Sequence, residues 1–225
     1  MYFVCSYKGR FMNKDTIFWD VDTQFDFMYP QGRLYVPGAE TIIDRVSQVR
    51  KFALENGFSI LADIDWHSTD NEEISDNPDF KQTFPPHCIA DQPGSERVGY
   101  LGELPIEYVE IDKMDTKALR KLVDKDQFHV VIRKHSIDVF ENPNTDRLIE
   151  LIKPRIIAVF GVALDFCVYY TLKGLSKHPG IELYLLKDVV KGLETRPENQ
   201  ILDELKQIGV KITQFSDFKR KLQCG

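Results

Sequence analysis

Six short apolar runs alternate with segments of helical periodicity, and this alternation constrains the fold more than any other feature of the sequence. The runs are predicted to be strands over residues 16–21, 58–64, 128–133, 155–160, 181–186 and 210–213. Strands that alternate with helices form a mostly parallel sheet with helices on both of its faces. We therefore predict an α/β fold with three α/β/α layers around a six-stranded, mostly parallel sheet.

The segments between the strands are predicted to be helices, with one long exception. Helical spacing of apolar residues extends from Ala39 to Asn56, and Gly57 ends it. Further helices are predicted over residues 116–123, 143–152, 167–177 and 197–208. The stretch 68–112 is rich in Asp, Asn, Pro and Gly and is predicted to be an irregular loop. Long loops in compact domains usually carry function, so we expect this one to contribute to a site.

Composition excludes several classes of protein. The formal net charge of −6 argues against nucleic-acid binding, which needs a basic face. No apolar run is long enough for a membrane span. The 4 cysteines have neither a paired nor a CxxC spacing, which argues against a disulfide framework and against a cysteine-based zinc site. We therefore expect reduced thiols and a cytoplasmic protein.

The chain is predicted to be a single domain over residues 15–225, preceded by an N-terminal extension over residues 1–14. The start has no basic leader and no long apolar stretch, so no signal peptide is expected. Met12 is a candidate translation start, and under this hypothesis the segment before it is disordered.

Polar side chains of unusual chemistry follow four of the predicted strands. Asp22 follows the first strand, Asp65 and His67 follow the second, Lys134 ends the third, and Cys167 follows the fourth. Right-handed crossovers place the carboxyl ends of parallel strands along one edge of the sheet. Ligands of open α/β sheets bind at that edge, so these residues are expected to form one site.

Cys167 is placed in the first turn of a helix that directly follows a strand. A helix N-terminus favours a thiolate and can hold an oxyanion, although taken alone a cysteine there is more often a buried structural residue. Asp22 and Lys134 are predicted at the same edge of the sheet, and their presence favours a nucleophilic Cys167 over a structural one. The carboxylate can accept the thiol proton and later pass it to a leaving amine, and the lysine charge is expected to lower the thiol pKa.

Asp65 and His67 are two residues apart, so on an extended segment their side chains point the same way. His87, which follows two prolines in the long loop, is the obvious third member of the group. A carboxylate and two imidazoles suit a divalent metal with open coordination positions. The Asp-x-His spacing alone does not decide between a metal site and ordinary polar residues at a strand end.

These residues lie in motifs that resemble those of one family. Over residues 15–215 the chain resembles the isochorismatase-like cysteine hydrolases, and within them the nicotinamidases. The matching segments are 22–27, 32–39, Asp65-Trp66-His67, Pro85-Pro86-His87-Cys88, Lys134 and 161–168. The resemblance implies the isochorismatase-like hydrolase fold.

The resemblance also implies roles for individual residues. Asp22, Lys134 and Cys167 correspond to the catalytic set, and the backbone N–H groups of Ala163 and Cys167 correspond to an oxyanion hole. The peptide bond that corresponds to Val162–Ala163 is cis in the family.

The family further implies a metal and a substrate pocket. Asp65, His67 and His87 are expected to hold one divalent ion, with zinc favoured and iron or manganese as alternatives. Three residues are assigned to substrate binding: Phe27, Phe84 and Val162. The two phenylalanine rings match positions that sandwich a flat ring.

Three positions depart from the nicotinamidase pattern. Many members carry a fourth metal-side histidine between the Asp-x-His and Pro-Pro-His segments, where this chain offers only Glu73 or Asp76. Phe166 precedes the cysteine, where histidine is frequent, and the segment 135–140 keeps only the phenylalanine of the usual pattern. These departures affect the substrate more than the chemistry.

The resemblance therefore implies a metal-dependent amidohydrolase that converts nicotinamide to nicotinate and ammonia through a cysteine thioester. The expected partner is a small-molecule amide, with no nucleic acid and no membrane, and the family suggests a homo-oligomer. One alternative is a related hydrolase acting on another small amide, ureide or carbamoyl compound. A second alternative is a non-catalytic binding protein of the same fold.

Overall fold

Seven parallel strands form one sheet in the computed structural model, which describes residues 15–224. The strands are β1 (Thr16–Val21), β2 (Ser59–Asp65), β3 (Ile106–Val109), β4 (His129–Lys134), β5 (Ile156–Val162), β6 (Glu182–Lys191) and β7 (Lys211–Thr213). Their order across the sheet is β3-β4-β2-β1-β5-β6-β7, and every neighbouring pair is parallel.

The sheet has seven strands, so the prediction of six is wrong by one. The additional strand, β3, lies inside the stretch predicted to be an irregular loop. It has only 4 residues, lies at the edge of the sheet and pairs only with β4. Three of its residues are not fully buried, which explains why it lacks the continuous apolar run of the central strands. Strand β6 also continues five residues beyond its predicted end, to Lys191.

Helices connect most of the strands. They are α1 (Phe25–Met28), α2 (Ile43–Glu55), α3 (Thr116–Val123), α4 (Thr145–Ile152), α5 (Cys167–Leu175), α6 (Glu198–Gln207) and α7 (Phe215–Cys224). The predicted helix from Ala39 begins as a 3₁₀ turn over Ala39–Ile42 and becomes α-helical at Ile43. The short helix α1 and the C-terminal helix α7 were not predicted from the sequence.

Alternate side chains of β1 enter two separate hydrophobic cores on opposite faces of the sheet. Trp19 packs in a core to which α3, α4, α5 and α6 contribute, for example through Leu172 of α5. Phe18 packs in the other core, against side chains of α2 and α7 such as Phe52 and Phe218. Because both faces are covered, β1 is buried throughout its length.

The strand order reverses at β1, which lies between β2 and β5 in the sheet. Connections that leave β1 on its two sides open a crevice at the carboxyl ends of the strands, where ligands of such folds bind. In the described part of the chain, no helix has the length and apolar character needed to cross a membrane. The predicted extension over residues 1–14 lies outside the described residues.

Candidate active site

Three residues predicted to be catalytic meet at this crevice. Asp22 directly follows β1, Lys134 is the last residue of β4, and Cys167 is the first residue of α5. The Lys134 ammonium nitrogen Nζ lies 2.9 Å from Asp22 Oδ2 and donates to Cys167 Sγ at 3.7 Å. All three side chains are almost completely buried. The structure therefore brings an acid, a cation and a thiol into contact, as the sequence predicts.

Local backbone conformation aims Asp22 into the crevice. Its φ of 46° lies in the left-handed region, and its N–H donates to the Asp63 carbonyl at 3.1 Å. The neighbouring glycine of β5, Gly161, makes room for this turn, because a Cβ there would lie 2.1 Å from the Val21 carbonyl oxygen. Only glycine can occupy that position.

Burial dominates the electrostatics of this group. It raises the pKa of the Asp22 carboxyl well above its usual range, while the Lys134 charge opposes the shift. Burial alone would lower the pKa of Lys134, but Asp22 and Asp65 raise it well above its usual range, so the ammonium stays charged.

The Lys134 charge lowers the pKa of the Cys167 thiol, as expected from the sequence. Burial is the larger effect, however, and the pKa of Cys167 lies well above its ordinary value. In the resting protein the proton therefore stays on sulfur. Ionisation of the thiol would require a base in contact with it, and Asp22 is the carboxyl group that is hydrogen-bonded to the thiol.

The turn between β5 and α5 presents backbone N–H groups beside the thiol. The Val162–Ala163 peptide bond is cis, as the family resemblance implies. The Ala163 carbonyl accepts from the N–H groups of Phe166 and Val168, both at 3.1 Å, and this fixes the turn. Cys167 opens the helix, where backbone N–H groups have no intrahelical acceptor. An oxyanion can be held there.

A second cluster lies next to the first. Donor atoms of Asp65, His67, Glu73 and His87 all lie within 4.8 Å of one another, and all four residues are buried. The Asp65 carboxylate oxygen Oδ2 lies 3.2 Å from His87 Nε2 and 3.6 Å from His67 Nε2. Its other oxygen, Oδ1, contacts the Lys134 ammonium, so Asp65 links the two clusters.

The donor atoms of this cluster fit a divalent cation. Neither ring nitrogen of the buried His67 has a hydrogen-bond partner among the described residues, which is costly unless a ligand binds there. His87 Nδ1 lies 2.8 Å from the Pro85 carbonyl, so Nδ1–H donates there and Nε2 presents its lone pair to the cluster. Two carboxylates and two imidazoles are ligand types that zinc, iron and manganese accept.

Glu73 is the fourth member of this cluster, whereas Asp76 is not in it. Its position depends on a bridge between two segments of the long loop, in which Phe84 N–H donates to the Glu73 carbonyl at 2.8 Å and Ile74 pairs with Phe84. Burial raises the pKa of the Glu73 carboxyl to about 8. The sequence named Glu73 only as one of two substitutes, since no periodicity within an irregular loop identifies which carboxylate points inward.

A cavity connects the two clusters and is otherwise lined by apolar side chains. Its lining consists of Asp22, Phe27, Leu34, Val36, Asp65, Glu73, Phe84, His87, Ile137, Ala163, Phe166, Cys167 and Leu193. Phe84 meets Phe166 edge to face with ring centroids 5.6 Å apart, and Phe27 meets His87 at 5.3 Å. Phe27 and Phe84 thus both line the cavity and contact His87.

Val162 does not line this cavity. It is the last residue of β5, and its completely buried side chain belongs to the core that contains Phe18 and Phe160. The aliphatic members of the lining, Leu34, Val36, Ile137 and Leu193, were not predicted. They come from three separate loops, with Leu34 and Val36 in the loop that precedes Ala39, and no spacing in the sequence relates the three loops.

The sequence of the chain is similar to those of known proteins. Residues 109–217 match the family model of the Isochorismatase domain. The nicotinamidase of Saccharomyces cerevisiae is 25% identical over 227 residues, which cover 85% of this chain and 96% of the relative. A nicotinamidase/pyrazinamidase of Mycobacterium tuberculosis is 24% identical over 195 residues, covering 85% of this chain and 95% of the relative.

Similarity to a solved structure extends over nearly the same part of the chain. The pyrazinamidase of Pyrococcus horikoshii, solved in complex with zinc, superposes with a TM-score of 0.71 and 29% identity, covering 89% of this chain and 99% of that one. The shared parallel sheet and the shared sequence thus point to the same group of enzymes. The family model, the two relatives and the solved structure together support the isochorismatase-like superfamily, with a resemblance to its nicotinamidases, and they support an amidohydrolase that acts on C–N amide bonds.

Proposed function

We propose that this protein hydrolyses nicotinamide to nicotinate and ammonia, with Cys167 as the nucleophile. The observation that carries the proposal is the position of Lys134, whose ammonium contacts the Asp22 and Cys167 pair on one side and Asp65 of the four-residue cluster on the other. The thiol, the Asp22 carboxylate and three of the four members of the cluster, Asp65, Glu73 and His87, therefore line one cavity. The nicotinamidases that the chain resembles support this choice of substrate.

The first half of the reaction replaces the C–N bond with a thioester. Asp22 accepts the thiol proton as sulfur attacks the amide carbon, and backbone N–H groups at Ala163 and Cys167 hold the oxyanion that develops. Such donors contribute about 3 kcal/mol each to transition-state stability. The protonated Asp22 then gives its proton to the departing amine, so that ammonia leaves and an acyl-Cys167 remains.

The second half restores the enzyme. Asp22, again a carboxylate, accepts a proton from a water molecule that attacks the thioester carbon. The same backbone donors stabilise the second oxyanion. The C–S bond breaks, sulfur recovers the proton, and the acid product leaves. Throughout the cycle the Lys134 ammonium keeps the Asp22 carboxylate close to the sulfur.

Asp65, His67, Glu73 and His87 would hold one divalent cation, for which zinc is the first candidate and iron and manganese are the alternatives. When bound, the cation would act as a Lewis acid toward the ring nitrogen or toward water. The protein's own contribution is to fix the donors. His87 is oriented by the Pro85 carbonyl, and Asp65 by Lys134.

The cavity supplies contacts suited to a flat aromatic amide. Phe27 and Phe84 line it on the side of the cluster, and Phe166 adds a third ring beside Cys167. Offset or edge-to-face contacts between aromatic rings contribute about 1 kcal/mol each. A pyridine ring held between them would present its carboxamide to the thiol.

The test is ammonia release from a panel of amides by the metal-loaded protein and by the chelated protein. Nicotinamide should be turned over at least 100-fold faster than ureides, carbamoyl compounds and aliphatic amides, a preference of the size that a fitted pocket provides. Chelation should suppress the rate, and added zinc should restore it. Preferred turnover of a ureide or a carbamoyl compound would replace nicotinamide as the substrate, and a rate unaffected by chelation would remove the cation from the mechanism.

A further inference from the structure

One buried carboxylate in the nucleophile turn is not used by the proposed reaction. Asp165 lies between Ala163 and Cys167 and is 5% exposed. Its Oδ1 accepts from the Leu193 N–H at 2.8 Å, and its Oδ2 accepts from the Thr195 N–H at 2.9 Å and from the Thr195 hydroxyl at 2.8 Å. A single side chain therefore holds the loop that follows β6.

The same turn and loop are joined at a second point. The Leu164 N–H donates to the carbonyl of Lys191, the last residue of β6, at 2.8 Å. Between the two attachments the loop passes close to the nucleophile turn. A Cβ on Gly192 would lie 3.0 Å from Asp165 Oδ1 and 3.4 Å from the Leu164 Cβ. The loop thus has little freedom to move away from the nucleophile turn.

This attachment places a side chain in the cavity. Leu193, whose N–H is held by Asp165, lines the cavity together with Leu34, Val36, Ile137 and Phe166, and we call these five residues the apolar wall. None of the five side chains has a hydrogen-bonding group. The polar groups of the cavity belong to the catalytic set and to the donor cluster described above.

We propose that Leu193, positioned by Asp165, is a specificity-determining residue that limits which ring substituents the cavity accepts. The inference rests on the proposed function in so far as the substrate is an amide of a flat ring. The apolar wall would accept small hydrocarbon substituents on that ring. It would reject charged or hydrogen-bonding substituents, since they would lose water and gain no partner.

The experiment compares kcat/KM for nicotinamide and for 5-ethylnicotinamide in the zinc-loaded protein. Leu193→Ala should raise the ratio of the ethyl compound to nicotinamide about 10-fold, as expected when space for a few carbon atoms is added to an apolar pocket. Asp165→Asn should raise the same ratio by a smaller factor. The asparagine side chain has one oxygen instead of two, so its NH₂ group cannot accept from a loop N–H, and Leu193 is held less firmly. The double variant should show no larger change than Leu193→Ala, since both substitutions act through one side chain.

Asp188→Asn is the matched control for a general loss of order. Asp188 Oδ1 also accepts a backbone N–H, from Phe215 at 2.7 Å, but Asp188 does not line the cavity. In Asp188→Asn the ratio of kcat/KM for the ethyl compound to kcat/KM for nicotinamide should equal that of the wild type. If Asp165→Asn lowered activity toward both amides equally, as an effect on folding alone would, Asp165 would lose its positioning role. An unchanged ratio in Leu193→Ala would overturn the whole inference.

A second measurement needs no turnover of nicotinamide. Alkylation of Cys167 by iodoacetamide and by N-phenyl-iodoacetamide, followed by mass spectrometry of the Cys167 peptide, compares a small and a bulky reagent in the same cavity. Leu193→Ala should favour the bulky reagent relative to the wild type, and Asp188→Asn should not. If the wild type fails to turn over nicotinamide but Leu193→Ala still favours the bulky reagent, the proposed substrate alone is refuted. Unaltered alkylation ratios would refute the role of Leu193.

Discussion

The side-chain amide of Gln24 pairs with the backbone of Asp65 as a neighbouring strand would. Gln24 Oε1 accepts from the Asp65 N–H at 2.8 Å, and Gln24 Nε2 donates to the Asp65 carbonyl at 2.7 Å. Nε2 also donates to the Ser95 carbonyl at 3.0 Å. The loop that follows Asp22 therefore fixes the residue that links the donor cluster to Lys134.

Gln24→Glu should weaken zinc binding by about 10-fold, because groups that orient metal ligands typically contribute that much affinity. The substituted carboxylate cannot donate to the Asp65 carbonyl and would repel it. Gln127→Glu is the matched control, since Gln127 also donates to two carbonyls, those of Leu54 and Phe58, but away from the cluster. Competition with a chromophoric chelator measures both affinities. Equal affinities in the two variants would show that Gln24 does not position Asp65.

Glu73→Ala should lower zinc affinity by at least about 10-fold, since it removes one of four donors from the cluster. Asp76→Ala is the control from the same loop, because Asp76 is not in the cluster, and it should bind zinc as the wild type does. The chelator competition reports affinity without reference to activity. Loss of affinity in Asp76→Ala but not in Glu73→Ala would exchange the two assignments.

Arg50→Met should lower the free energy of unfolding by about 3 kcal/mol, because it breaks a buried ion pair. Arg50 is fully buried, and its Nε lies 2.7 Å from Oδ2 of the equally buried Asp20. Arg45→Met, on the same helix, removes a pair with Asp188 in which the arginine side chain is 53% exposed, and it should cost less than about 1 kcal/mol. Urea unfolding compares them. Similar losses of unfolding free energy in both variants would contradict the larger contribution assigned to the buried pair of Arg50 and Asp20.

Stability should fall as the pH is lowered from 7 to 5, in part because of His129. Burial, and then the Arg97 charge, lower the pKa of His129 to about 3, with Asp20 opposing and Arg50 adding to the shift. Between pH 6.5 and 3 the unfolded chain therefore binds a proton that the folded chain does not. This difference removes about 2 kcal/mol by pH 5.

His129→Gln tests this contribution, since glutamine can still accept from Arg97, which donates to His129 Nε2 at 2.9 Å. Urea unfolding at pH 7 and at pH 5 should show a smaller difference in the variant than in the wild type. An identical difference in both proteins would mean that another group causes the pH dependence.

The central part of the fold and the meeting of Asp22, Lys134 and Cys167 could be predicted because both depend on local sequence. Strands buried on both faces are continuous apolar runs, Asp22 and Lys134 stand at strand ends, and Cys167 opens the helix that follows a strand. The edge strand β3 and the helix α7 were missed, since a half-exposed strand and a short amphipathic helix resemble loop sequence.

Other features depend on the assembled structure. The raised pKa of Cys167 follows from burial, which exceeds the opposing charge of Lys134 and is not visible in the spacing of residues. Leu193 lines the cavity and its backbone N–H donates to Asp165, and nothing in either segment of the sequence relates the two residues. Glu73 is singled out from Asp76 only by a bridge between distant parts of one loop.

The central claim is that an acyl group passes through Cys167, and hydroxylamine tests it most directly. Zinc-loaded protein given nicotinamide and hydroxylamine should release ammonia and form nicotinohydroxamate, because the amine intercepts the thioester. Cys167→Ala, with an unchanged melting temperature, should form neither product above the level of the buffer. Sustained ammonia release by Cys167→Ala, or release by the wild type without any hydroxamate, would contradict the mechanism.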